Sequence, residues 1–329
     1  VTPRTASRRL GLPLALALLW PASLLPWNPA ALAAAAPAAQ RSAAEQQGAL
    51  HGAVAQGQLL RIGAIPDQNP EKLNRLYKLL ADHLSRSLGG VPVRYVPVSD
   101  YTAAVSAFRT GQLDLVWFGG LTGVQARLQR PGARVLAQRD IDKDFRSVFI
   151  ANSGSGLTPL SSQKDLTRLK GKRFTFGSES STSGRLMPQH FLAQAGVTLK
   201  DFAGGAPGFS GSHDATLALV QSGAYQAGVL NEQVWLSNVR AGKVDADKVS
   251  VIWRTPGYPD YHWVAQPGLD KRFGDGFTVN LKEAILELDG SSSGERRILE
   301  LFGAERFIPA RAAEYRPIET VGREIGKIR

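Results

Sequence analysis

The chain has 329 residues, 39 Lys and Arg against 28 Asp and Glu for a formal charge of +11, and no cysteine. The missing cysteines exclude a disulfide framework, a thiolate metal site and a lipid-bearing cysteine anchor. The positive balance favours anionic ligands at long range, but no long basic run or aromatic–basic interleaving of the kind that tracks nucleic acid occurs, so nucleic acid is not an expected partner.

Residues 1–38 read as an export signal: Arg4, Arg8 and Arg9 give a positive start, Leu10 to Leu25 is mostly apolar, and Ala31 to Ala38 offers Ala-x-Ala cleavage options. Pro13, Pro21, Pro26 and Pro29 interrupt it, and its unbroken apolar stretches fall short of the roughly 20 residues a membrane span needs. Cleavage would remove those three arginines, leaving 36 of the 39 basic residues against 28 acids, about +8. Export without a lipid anchor points to the periplasm. An Ala/Gln/Gly-rich linker is expected over residues 39–57, and the chain beyond it is long enough for two lobes, each with its own core.

Leu59 to Ile65 predicts a buried strand, followed by a helix with Asn69 as its cap, Pro70 at its first position and Leu73, Leu76, Leu79, Leu80 and Leu84 on one face. The pattern repeats with Val91 to Val98 as strand, Tyr101 to Phe108 as helix, Leu113 to Phe118 as strand, a helix after Gly119-Gly120, and Val135 to Gln138 as strand. Phe145 to Ala151 opens a second series, with strands at Arg173 to Phe176, Ala227 to Leu230 and Val249 to Trp253. Its helices are expected from about Arg185 to Ala195, His213 to Ser222 and Gln233 to Ala241. Strands separated by helices imply an α/β fold with mostly parallel sheets flanked by helices. Residues 255–263 combine aromatic and turn residues densely, as a crossover lining a cleft would, and two further helical patterns follow near Leu281 to Leu288 and Arg296 to Phe302. The expected layout is a first lobe from 58–143, a second from 144–254, and a crossover with return to the first lobe over 255–329.

Gly177-Ser-Glu-Ser-Ser-Thr-Ser-Gly184 links a short apolar run to a helical pattern. A helix start presents unpaired N–H groups and the positive end of its dipole, and Ser181, Thr182 and Ser183 add hydroxyls, which together suit a small oxyanion without a contacting Lys or Arg. Taken alone, the local sequence favours an ordinary Ser/Thr helix cap, and only its context points to a ligand.

Taken in order, Ala64-Ile65-Pro66, Asp100-Tyr101, Leu115-Val116-Trp117-Phe118-Gly119-Gly120, Phe176-Gly177-Ser178, Ser181-Thr182-Ser183-Gly184, Ser212-His213-Asp214-Ala215, Leu230-Asn231-Glu232 and Asp260-Tyr261-His262-Trp263 resemble one family: periplasmic substrate-binding proteins of ABC importers in the phosphonate/phosphite group, closest to a subgroup described as selenate-binding. The resemblance implies a two-lobed type II periplasmic binding protein, a Venus flytrap whose lobes are joined by crossovers near 140–147 and 250–257. It implies capture of a small oxyanion (phosphonate, phosphite, phosphate, selenite or selenate) and delivery to a permease in the inner membrane, by a monomer with no cofactor. Family contacts fall on Tyr101, Ser181, Thr182, Ser183, His213, Glu232 and Asp260. A family tyrosine falls at Phe145 or Arg146 here, which makes Arg146 either a cleft cation or a solvated strand-edge residue, and Phe118 stands where the family has a tyrosine. Acids at Glu232 and Asp260 would accept hydrogen bonds only, and so favour a proton-bearing oxyanion or an aminophosphonate over selenate.

Rival classes find little in the sequence. Ser212, His213 and Asp214 are adjacent on one segment and cannot supply the separated geometry of a hydrolytic triad, and no Gly-x-Ser-x-Gly elbow occurs. The five histidines lack metal-ligand spacing, so no metal site is expected. A ligand sensor that docks on a membrane receptor would share every site feature and remains the alternative.

Overall fold

Alternation of apolar runs with capped amphipathic segments builds each element in turn. The computed structural model describes residues 59–329, and the expected export signal and linker lie outside the described residues. β1 (Leu60–Ala64) is followed by α1 (Pro70–Ser87), where the Asn69 side chain accepts the N–H groups of Glu71 and Lys72 and Pro70 takes the position that needs no donor. Next come β2 (Val93–Tyr95), α2 (Tyr101–Arg109) capped by Asp100, β3 (Leu115–Phe118), α3 (Gly120–Gln129), β4 (Arg134–Val135) and β5 (Ala137–Arg139). The second series holds β6 (Ser147–Asn152), β7 (Phe174–Phe176), α4 (Met187–Gln194), β8 (Gly208–Phe209), α5 (His213–Gln221), β9 (Ala227–Asn231), α6 (Glu232–Arg240) and β10 (Val249–Arg254). The chain returns through β11 (His262–Ala265), α7 (Leu269–Phe273), α8 (Phe277–Leu286), α9 (Ser293–Phe302), β12 (Phe307–Pro309) and α10 (Arg316–Glu324). Among the described residues no helix is long and apolar enough to cross a membrane.

Two five-stranded sheets result, ordered β2-β1-β3-β11-β4 and β10-β6-β9-β7-β8. In the first, β1 runs parallel to β2 and β3, and the returning β11 is antiparallel to β3 and β4. In the second, β7 is parallel to β8 and β9, and β6 is antiparallel to β9 and β10. Parallel strands deliver their carboxyl ends, and the helices that follow, to one edge of a sheet, which is where ligands of such folds collect. The chain passes between sheets twice, and the passes pair with each other: Phe145 and Tyr258 exchange N–H···O bonds of 2.9 and 3.0 Å, Thr255 N–H meets Ser147 O at 3.0 Å and Asp260 N–H meets Asp142 O at 3.0 Å.

Several details differ from the sequence expectation, beside the unexpected short elements β8, α7 and β12. The strand expected over Val135 to Gln138 is split, because β4 pairs with β11 whereas β5 turns away to pair with β12. Residues 255–263 contain the start of β11, whose Trp263 is wholly buried against Trp117 at 5.2 Å. Helix α10 was not expected from the pattern, since Ile318 and Val321 are its only buried large apolar residues among charged neighbours.

The first crossover is anchored by Arg139 and Asp142, both buried. Arg139 Nε and Nη2 each donate to the Asp142 carboxylate at 2.7 Å, Nη1 donates to Phe302 O at 2.7 Å, and the guanidinium lies 4.9 Å from the Tyr261 ring centre. Removing one partner strands a buried charge. Asp142→Ala is therefore expected to lower the unfolding free energy by about 3–5 kcal/mol in denaturant titration, whereas a loss near zero would mean that water reaches Arg139.

Candidate oxyanion-binding site

Helix starts from both lobes meet at the crossovers. Tyr101 is the first residue of α2, and Gly120 and Leu121 open α3 on the same edge of the first sheet. From the second lobe comes a widened turn, Thr182–Leu186, in which Leu186 N–H reaches back to Ser181 O at 2.9 Å before α4 begins. Helix α3 is closed by groups foreign to it: Gly120 N–H donates to Asp260 Oδ1 at 2.8 Å and Leu121 N–H to Thr182 Oγ1 at 3.0 Å. A Cβ at residue 119 would lie 3.1 Å from Thr182 Oγ1 and 3.3 Å from Asp260 Oδ1, so Gly119 permits this approach.

Around this junction, Tyr101 Oη, Ser183 Oγ and Asp260 Oδ2 are buried and have no hydrogen-bond partner among the described residues. An unmet buried polar atom costs about 1–3 kcal/mol, so three in one place call for a shared partner. They are electrostatic neighbours. The Asp260 carboxyl is pushed up to about 7 by burial and by Asp142, against the opposing pull of the Gly120 N–H and the Thr182 and Ser183 hydroxyls. Burial raises the Tyr101 hydroxyl well above its ordinary value, with Asp67 and Asp260 adding to the rise and Ser181 opposing it. Two hydroxyls and one carboxyl that exchanges its proton near neutral pH can surround an oxyanion that carries one proton.

Behind them stands a filled network centred on the Tyr261 hydroxyl. It lies 2.9 Å from Asn231 Nδ2 and 3.2 Å from His213 Nε2, and it donates to Asp67 Oδ2 at 2.9 Å. His213 Nδ1 accepts the Asn231 N–H at 3.3 Å, which places the ring proton on Nε2, facing Tyr261. Burial pulls His213 down to about 4 and pushes Asp67 up to about 6, so the imidazole is neutral at physiological pH.

The expected site residues therefore divide. Tyr101, Thr182, Ser183 and Asp260 come together. Ser181 lies beside them, but its Oγ caps the turn by accepting Gly184 N–H at 2.9 Å, so the plain cap reading of that serine holds as well. His213, expected to offer a ring nitrogen to the ligand, has both nitrogens engaged by Asn231 and Tyr261, because the sheet edge buries its ring completely. Glu232 pairs instead with Arg254 Nε at 2.7 Å, and Arg146 is solvated and pairs with Asp144 at 2.8 Å; both line a separate hollow with Asp140 and Leu236. Sequence reasoning passed over Asp67, Asn231 and Tyr261 as functional residues. The available signal was that Asn231 and Tyr261 lie within the stretches that carried the family resemblance and Asp67 directly follows one of them. No group of three or more His, Asp or Glu that could hold a metal occurs among the described residues.

The family model described as ABC transporter, phosphonate, periplasmic substrate-binding protein matches residues 62–315. The chain is 55% identical over 271 residues to the probable ABC transporter phosphite binding protein PhnD1 of Prochlorococcus marinus strain MIT 9301, covering 82% of this chain and 91% of that protein. The structure of PhnD1 in complex with methylphosphonate superposes with a TM-score of 0.81 at 54% identity, over 83% of this chain and 100% of that one. A binding protein component of an ABC phosphonate transporter from Pseudomonas aeruginosa shares the fold, with a TM-score of 0.68 at 21% identity, over 80% of this chain and 85% of that one.

Tyr261→Phe would keep the ring packing and leave Asn231 Nδ2, His213 Nε2 and Asp67 Oδ2 short of a partner. The expected loss is about 1–3 kcal/mol of stability, read from denaturant midpoints at unchanged slope. A fully stable variant would show that water replaces the hydroxyl.

Proposed function

Because the chain belongs to the family of phosphonate periplasmic substrate-binding proteins of ABC transporters, we propose that it captures a small phosphorus oxyanion, phosphite or an alkylphosphonate such as methylphosphonate, between its lobes and presents it to a permease in the inner membrane. The observation that carries this reading is the convergence of Tyr101 Oη, Ser183 Oγ and Asp260 Oδ2, buried and unpartnered where helix starts of both lobes meet. The similarity to a phosphite binding protein with a methylphosphonate complex supports the ligand class.

Asp260 sets the expected preference. A fully deprotonated sulfate or selenate would place unshared charge against a carboxylate, while the monoanion of phosphite or of a phosphonate, hydrogen phosphate or hydrogen selenite brings a P–O–H or Se–O–H that donates to Oδ2. With Glu232 held by Arg254, this selection falls on Asp260 alone. The sign with pH follows: as pH rises through about 7 the shared proton is lost from Asp260, the site and ligand both gain negative charge, and affinity falls.

Isothermal calorimetry from pH 6 to 9 tests both points. Methylphosphonate and phosphite should bind in the micromolar range or tighter and weaken toward pH 9, with selenate and sulfate weaker by about a hundredfold, or about 2.7 kcal/mol, just above pH 7, where Asp260 is ionised, and by less at pH 6, where a protonated Asp260 can itself donate to them. Ser183→Ala should cost about 1.5–3 kcal/mol, ten- to a hundredfold in affinity, and Asp260→Asn should narrow the gap between phosphite and selenate. Selenate binding tighter than phosphite at every pH, unaffected by Asp260→Asn, would overturn the selection argument. Failure of all these anions to bind would overturn the ligand class.

A further inference from the structure

Away from the ligand-facing groups, the lobes touch along a second line where α1 of the first lobe meets α5 and α6 of the second. Asn69 N–H, at the cap of α1, donates to Asp214 Oδ2 at 2.7 Å, and His213 N–H donates to Asp67 O at 3.0 Å. The other oxygen of Asp214 accepts Asn238 Nδ2 at 2.9 Å from within its own lobe, and Lys72 Nζ of α1 reaches Ser237 Oγ of α6 at 3.5 Å. Asn238 is buried and itself donates to Val234 O, so it holds the Asp214 carboxylate at a fixed angle. The carboxylate thus has one oxygen bound to its own lobe and one aimed at a backbone donor of the other.

We propose that Asp214 is a positioning residue for ligand capture: a latch that holds the lobes together and sets their open–closed balance without touching the oxyanion. Its bond to Asn69 N–H is charge-assisted and also meets the positive end of α1, so it weighs more than a neutral contact across the same seam. Among the described residues the chain passes between the lobes at the paired crossovers, and an interlobe contact outside them forms on closure and breaks on opening. Apparent affinity scales with the fraction of molecules able to close, so loss of the latch weakens every ligand by one common factor. Asp214→Asn is the sharpest probe, because its amide oxygen can keep the Asn238 bond while its NH2 would face the Asn69 N–H, donor against donor.

The ligand arm of the test rests on the phosphorus-oxyanion reading above, whereas the conformational arm does not. With the full chain, spin labels on exposed positions of α1 and α6 and pulsed electron resonance measure the interlobe distance with and without methylphosphonate, and stopped-flow fluorescence measures the binding rates. Asp214→Asn and Asp214→Ala should shift the distances toward longer values and lower the affinity for phosphite and for methylphosphonate by the same factor, about tenfold, chiefly through faster dissociation. Asn238→Ala should move in the same direction by less. Unchanged distances in Asp214→Asn and Asp214→Ala overturn the latch whether or not any ligand binds. A loss confined to one ligand, or one carried by slower association, assigns Asp214 to the ligand site instead and also overturns it. If no anion binds wild type but the distances shift as described, the latch stands and only the ligand assignment falls.

Discussion

The bond from Gly120 N–H to Asp260 Oδ1 is the interaction on which the rest of the site depends. It fixes the start of α3 to the returning crossover, so one helix of the first lobe and the hinge move as a unit. It also divides Asp260 into a structural oxygen and a free one, Oδ2, that is buried without a partner, as are Tyr101 Oη and Ser183 Oγ. Thr182 then closes the next N–H of α3 from the opposite lobe, which means that the register between lobes is read at a helix terminus. Because the first donors of α3 are consumed in this way, the capture proposed above would rest on side-chain hydroxyls, on the widened turn at Thr182–Leu186, and on dipoles acting over a short range.

An oxyanion site without a contacting Lys or Arg has a charge balance unlike that of a salt bridge. Arg139, the buried cation of the first crossover, is committed to Asp142 by a bidentate pair and is covered by aromatic rings. His213 is neutral, and Asp67 and Asp260 are both raised toward neutrality by burial. Such a site gains its selectivity from protons: it discriminates by what the ligand can donate, and a dianion of the same size and shape is penalised. The long-range positive charge of the chain can still raise the encounter rate without entering the site.

Much of the fold was legible because the signals were local. Asn69-Pro70 marked the start of α1, and β1, β3 and β9 read as short apolar runs because both faces are buried. The loop from Gly177 to Gly184 was legible as a helix start, although the structure makes Ser181 the cap and leaves Ser183 free, a division that depends on the wide turn and not on composition. Three-dimensional competition decided what the sequence could not. Glu232 heads a helix, as a ligand-facing acid would, but Arg254 at the end of β10 pairs with it. His213 has the right chemistry for a ligand donor, yet Asn231 and Tyr261 claim both its nitrogens, and Tyr261 looked like one aromatic among many in residues 255–263. The interlobe bond between Asn69 and Asp214 joins residues 145 positions apart and leaves no periodic trace.

The central claim is that Tyr101, Ser183 and Asp260 share one proton-bearing anion. A crystal structure of this protein with methylphosphonate, at a resolution that separates C–O from C–OH bond lengths in the carboxyl group, tests it most directly. The account predicts phosphonate oxygens within hydrogen-bond distance of Tyr101 Oη, Ser183 Oγ and Asp260 Oδ2, with the Asp260 contact short and Oδ1 still bound to Gly120 N–H. A phosphonate held by Arg146 or Glu232, or one whose oxygens leave Asp260 Oδ2 without a contact, would contradict it.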